Sequence, residues 1–120
     1  MNAHDRLAAE EFCYLTTTGR VSGRPHRIEI WFALEGGTVY LLAGDGERAD
    51  WVRNLIATPE VVLEIAETSI VTSARVVDPG TDEDERARRS LVEKYQPGYG
   101  EDLSEWRRTA LPVAVAWDPG

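Results

Sequence analysis

Apolar and polar positions alternate most clearly over Arg27–Leu34. There Ile28, Ile30, Phe32 and Leu34 share one face and Arg27, Glu29, Trp31 and Ala33 the other, the period of a strand with one buried side. Glu35-Gly36-Gly37 then turns the chain into the β-forming run Thr38–Ala43, so the two segments read as a hairpin. Upstream, Leu7 and Phe12 within Asn2–Phe12 suit a short amphipathic helix, and Cys13–Thr18 turns to β-formers. The stretch GRVSGRP, Gly19–Pro25, is loop chemistry. Beyond the loop GDGER, a short helix opens at Ala49 or Asp50, carries Trp51, Val52, Leu55 and Ile56, and stops before Pro59. Val61–Ala66 and Ile70–Val77 predict a second hairpin, interrupted at Glu67–Ser69. Thr81 has the position of an N-cap for a helix whose first turn is acidic and whose later turns carry arginines, the charge order that the helix dipole favours. Gln96–Gly100 ends that helix, Asp102–Arg108 has room for one or two more turns, and Leu111–Trp117 closes as a strand. Hairpins dominate and no βαβ rhythm occurs. The pattern therefore predicts an α+β fold, a small antiparallel barrel with peripheral helices, as one domain over residues 1–120.

Composition narrows the function classes. The 120 residues are 42% hydrophobic and 28% charged, as in soluble globular proteins. A net charge of -8 disfavours nucleic acid and anionic lipid as partners, so any anion site must be local. One cysteine, Cys13, excludes an internal disulfide and reads most simply as a small buried apolar residue. With only His4 and His26 beside it, no zinc spacing exists and no metal is expected. No apolar run reaches the ~18 residues of a membrane span, and the expected setting is cytoplasmic.

Against that background the charge distribution is informative. No acidic residue lies between Glu11 and Glu29, and Arg20, Arg24 and Arg27 all fall inside that window. Gly19 and Gly23 allow close backbone approach, Ser22 offers a hydroxyl, and guanidinium forks match phosphate or carboxylate oxygens. Spacing alone leaves two readings open, an anion cradle or an exposed turn with solvated arginines. Asn54 is a poor helix former inside a helix, so its side chain is expected to hydrogen-bond, either capping the GDGER loop or reaching a ligand. Glu29 shares a strand face with Arg27, so the two could simply neutralise each other.

The run Leu15–Arg27, LTTTGRVSGRPHR, resembles the signature LTTxGRxSGxPxR of the deazaflavin-dependent nitroreductase family. Trp51–Val61, WVRNLIATPEV, is similar to that family's second signature, WxxNLxxxPxV, and Leu111–Val115 is similar to its last strand. The resemblance covers the chain from about Phe12 onward. It implies a split β-barrel binding coenzyme F420, with FMN on the same barrel as the alternative. It also implies hydride transfer to a small electrophilic acceptor: a nitro compound, a quinone or an activated double bond. Phosphate and tail contacts would fall on Arg20, Ser22, Gly23, Arg24 and Arg27. The ring would lie against Ile28, Glu29 and Ile30, against Leu42, Ala43 and Gly44, and near Trp51 and Asn54. Where the family often has Thr-Pro-Leu this chain has Ile28-Glu29-Ile30, placing a carboxylate beside the ring site. Tyr95, Tyr99 and Trp106 are approximate counterparts of the family's lid aromatics. Tyr95, Tyr99, Glu29 and His26 are the candidates for proton chemistry. In such enzymes the cofactor carries the redox step, which accounts for the lack of any triad or metal cluster in the sequence. The resemblance further implies a homodimer. A rival of another class is a non-catalytic binder of a fatty acid or other carboxylate, clamped by the same arginines.

Overall fold

The computed structural model describes residues 2–120. Helix α1 spans Ala3–Ala8, and the strands are β1 (Cys13–Thr18), β2 (Pro25–Ile30), β3 (Ala33–Glu35) and β4 (Thr38–Ala43). Helix α2 (Asp50–Ala57), strands β5 (Glu60–Ile65) and β6 (Thr68–Val76), helices α3 (Asp82–Tyr95) and α4 (Ser104–Thr109), and strand β7 (Leu111–Ala116) complete it. Seven strands form one sheet in the order β2-β1-β5-β6-β7-β4-β3. Every pairing is antiparallel. The two edge strands, β2 and β3, are consecutive in the chain and joined only by Trp31 and Phe32. The sheet therefore curls until its edges approach, the split form of a small barrel.

The alternation over Arg27–Leu34 marks the inward face correctly, but the segment is not one strand. Its first part pairs with β1, Cys13 opposite Ile30 and Leu15 opposite Ile28, and its last part pairs with β4. A side-chain period reports which face is buried and says nothing about the pairing partner. At the break, the backbone of Phe32 would lack ladder partners. The Tyr95 hydroxyl takes the Phe32 N–H at 3.0 Å, and Lys94 Nζ donates to the Phe32 carbonyl at 2.9 Å. Lys94 also binds the carbonyl of Glu10, and Tyr95 that of Glu11. The first helix thus ends at Ala8 instead of Phe12, because the following backbone is drawn out to reach α3.

The barrel interior holds Leu15, Phe32, Val39, Leu41, Leu63, Ile65, Val113 and Val115, closed at one side by Val52 and Leu55 of α2. A second cluster lies outside the sheet, where Ala87, Leu91 and Tyr95 of α3 cover Tyr40, Leu42 and Ala114. Strand β4 is buried on both faces for that reason. The expected Thr81 cap is present, its hydroxyl accepting from Asp84 N at 3.1 Å, and the acidic first turn follows it.

Candidate cofactor and acceptor site

Residues 19–24 form the hairpin loop between β1 and β2. Gly19 N donates to the Arg24 carbonyl at 2.7 Å and Gly23 N to the Gly19 carbonyl at 2.8 Å, while Ser22 Oγ accepts from Arg24 N at 3.1 Å. Gly23 has φ +73°, a conformation other residues rarely adopt. A Cβ on Gly19 would lie 2.7 Å from both Ser22 Oγ and His26 Nε2, so a side chain there would displace both groups.

Helix α2 braces this loop. Its apolar residues Val52 and Leu55 are in the core, which brings Asn54 to the back of the hairpin at 3% exposure. Asn54 donates to Thr17 Oγ1 at 3.2 Å, and its Oδ1 accepts from Arg20 N at 3.1 Å and Arg20 Nη1 at 2.9 Å. Asn54 therefore fixes the arginine loop and does not cap GDGER; Arg53 does that, through the Glu47 carbonyl at 3.1 Å. Arg20 also meets Asp50 at 3.1 Å. Arg27 pairs with Glu64 at 3.0 Å and lies over the Tyr14 ring, 4.0 Å from its centroid. Glu29 accepts from the Tyr14 hydroxyl at 2.7 Å, which raises the tyrosine's pKa; it does not neutralise Arg27 by direct contact. Among the described residues only the Arg24 guanidinium, of these three, has neither an ion pair nor a hydrogen bond.

Two hollows follow one another along β2. The first, about 540 Å³, gathers Arg20, Ser22, His26, Arg27, Ile28, Asp50, Trp51 and Asn54. Gly23 and Arg24 belong to the same loop and do not line it. The second, about 550 Å³, takes in Glu29, Ile30, Leu42, Trp31, Tyr99 and Trp106. Ile28 of the first hollow and Ile30 of the second are two residues apart on the same face, about 7 Å at the usual strand rise. Gly44 sits beside the Trp106 ring, where a Cβ would be 3.9 Å away. Ala43 does not belong with them: it points into the barrel at 2% exposure and lines neither hollow.

The sequence pattern places Trp31 only on a strand face, yet this residue organises the second hollow. Tyr95 stacks on it at 4.2 Å and 3°, with Tyr99 and Trp106 edge-on at 5.5 and 5.7 Å. A partial signal for it exists in the chain, since Trp31 is a large aromatic on the polar face of the Arg27–Leu34 alternation. Tyr95 is not a proton source: its hydroxyl is committed to backbone, and burial raises its pKa further. The Tyr99 hydroxyl has no hydrogen-bond partner among the described residues, and the ring is half-exposed. Cys13 is fully buried and its thiol is pushed up to about 12 by that burial, which leaves it inert.

A curled seven-stranded sheet with a glycine-arginine hairpin opening onto its split defines a split-barrel cofactor-binding protein. Residues 2–118 match the F420H(2)-dependent quinone reductase family, and the chain belongs to that family. It is an F420-dependent reductase, and coenzyme F420 is its cofactor. Solved structures share the fold. An F420-H2 dependent reductase, FDR-A, is 24% identical with TM-score 0.71, covering 88% of this chain and 93% of its own. A chain reported as a domain-swapped dimer has 24% identity and TM-score 0.71, covering 88% and 79%. HutZ, the heme storage protein from Vibrio cholerae, has 17% identity and TM-score 0.76, covering 97% and 88%.

The residues present fit F420. Its phosphodiester and carboxylate tail need cationic donors, which Arg20 and Arg27 in the hollow and Arg24 on the adjoining loop can supply, and its tricyclic ring needs apolar walls, which Ile28, Ile30 and Trp51 can supply. Asp50 is the one carboxylate lining the first hollow, and it is already engaged by Arg20.

Proposed function

We propose that this protein passes a hydride from reduced F420 to a small electrophilic aromatic acceptor, a quinone or nitro compound in the first instance. The observation that carries the reading is the pairing of a basic hollow and an aromatic hollow along one face of β2. The bound cofactor supplies the hydride. Arg24, backed by Arg20 and Arg27, holds the anionic tail; Ile28, Ile30 and Trp51 orient the ring; Trp31, Trp106 and Tyr99 receive the acceptor and exclude water from it. Tyr99 stands where it can give a proton to the reduced product.

The net charge of -8 supports a small-molecule partner over nucleic acid, and no helix among the described residues is long and apolar enough to cross a membrane. A lone buried thiol suits a reducing, cytoplasmic setting. The solved neighbour reported as a domain-swapped dimer supports a homodimer.

The test is oxidation of F420H2 by 1,4-naphthoquinone. Turnover is expected, and Trp106→Ala should lower kcat/KM by about tenfold or more while leaving F420 affinity within about threefold. Turnover with reduced FMN in place of F420H2, or long-chain fatty acid binding with no turnover, overturns the reading.

A further inference from the structure

The second hollow and the hairpin carry opposite charge. Its wall is aromatic and aliphatic, with Trp31, Trp106, Tyr99, Leu42 and Leu103, and no lysine, arginine or histidine lines it. The charged groups that do are three carboxylates, Glu29 from β2 and Glu101 and Asp102 from the loop before α4. Two of them are anchored. Glu29 is fixed by the Tyr14 hydroxyl at 2.7 Å, and Asp102 accepts from Ser104 N at 3.0 Å and Ser104 Oγ at 2.6 Å. Those bonds hold the Asp102 carboxyl below the usual carboxylate range, so it stays ionised at neutral pH.

Apolar walls with an acidic mouth cannot favour a ligand that brings its own negative charge. Resting on the acceptor reading above, we propose that Glu101 and Asp102, with Glu29, make this cavity select neutral or cationic electron-poor aromatics and exclude anionic ones. The selection has a use. An anionic acceptor would compete for Arg20, Arg24 and Arg27, whereas a neutral one has no attraction to the cofactor's anchor. Charge thus sorts the two ligands to the two hollows, the anionic tail to the hairpin and the uncharged ring to the aromatic one.

The test is calorimetric titration of the protein loaded with oxidised F420, which cannot transfer hydride, using 1,4-naphthoquinone and its 2-sulfonate. The sulfonate should bind about tenfold or more weaker than the neutral quinone, and the gap should shrink on raising salt. In the Glu101→Gln/Asp102→Asn double variant the gap should close to about threefold or less, with neutral-quinone affinity nearly unchanged. Equal binding of the two quinones by the parent, or a gap that the double variant leaves intact, overturns the inference while the acceptor reading stands. If neither quinone binds, the acceptor reading fails and the inference falls with it.

Discussion

The Tyr95 hydroxyl lies 3.0 Å from both the backbone nitrogen and the backbone oxygen of Phe32. One side chain from α3 thus stands in for a strand at the point where β2 leaves off and β3 begins. The same residue stacks on Trp31, so the barrel's split and the aromatic hollow are held by one tyrosine. Tyr95→Phe keeps the stack and removes the hydroxyl, leaving a buried N–H unpaired. It should cost about 1–3 kcal/mol in urea unfolding, with the unfolding slope unchanged. A variant as stable as the parent would show that the break is held by packing alone.

Much of this architecture is legible from hydrophobic period and turn chemistry. Strands β1, β4 and β7, helix α2 and the Thr81 cap need only local signals. The break at Trp31–Phe32 is not legible, because the satisfying groups come from Lys94 and Tyr95, more than sixty positions away. The site divides in the same manner. The arginine loop is one contiguous segment and can be read, whereas the partners that occupy Arg20 and Arg27 arrive from α2 and β5 through tertiary contact. The resemblance carries Ala43 over with its neighbours Leu42 and Gly44, and local pattern could not correct it, because β4 is buried on both faces and has no polar alternation.

Glu29 and Tyr99 separate two kinds of contribution. Tyr99→Phe should lower kcat with F420 affinity unchanged, since its hydroxyl binds nothing else among the described residues. Glu29→Gln should alter the acceptor step and its pH profile more than F420 affinity, because it lines the acceptor hollow and not the basic one. Steady-state rates beside direct F420 titration check both. Equal losses in rate and affinity for Glu29→Gln would make it a structural partner of Tyr14.

Glu83 ties α3 to the sheet. Arg75 on β6 binds its two oxygens at 2.7 and 2.8 Å, and the Tyr40 hydroxyl on β4 adds a third bond at 2.9 Å. The arginine is the main reason its carboxyl is lowered from 4.5 to about 2. A carboxyl depressed in the folded state contributes stability that is present above pH 4.5 and lost as pH falls toward about 2. Glu83→Gln should therefore cost about 1–2 kcal/mol at neutral pH, limited because Arg75 is half in solvent, and the deficit should narrow in acid. Urea midpoints from pH 7 down to about 3 would show it; a deficit independent of pH would assign the loss to packing.

Anchoring of an anionic cofactor by the glycine-arginine hairpin is tested most cleanly at Arg24, whose guanidinium holds no other group among the described residues. Arg20→Ala and Arg27→Ala are less clean: the first removes one of the two bonds that Asn54 Oδ1 accepts, the second leaves Glu64 without its ion-pair partner, and both should also lower the melting temperature. The decisive measurement is titration of F420 and FMN into the parent and Arg24→Ala, with ligand-free melting recorded for each. The parent should bind F420 at micromolar affinity or better, about -8 kcal/mol, and more tightly than FMN. Arg24→Ala should bind F420 about ten- to a hundredfold more weakly, with melting unchanged and Arg24→Lys restoring only part of the loss. An Arg24→Ala protein that binds F420 like the parent, or a parent that binds FMN about tenfold tighter than F420, would contradict the account.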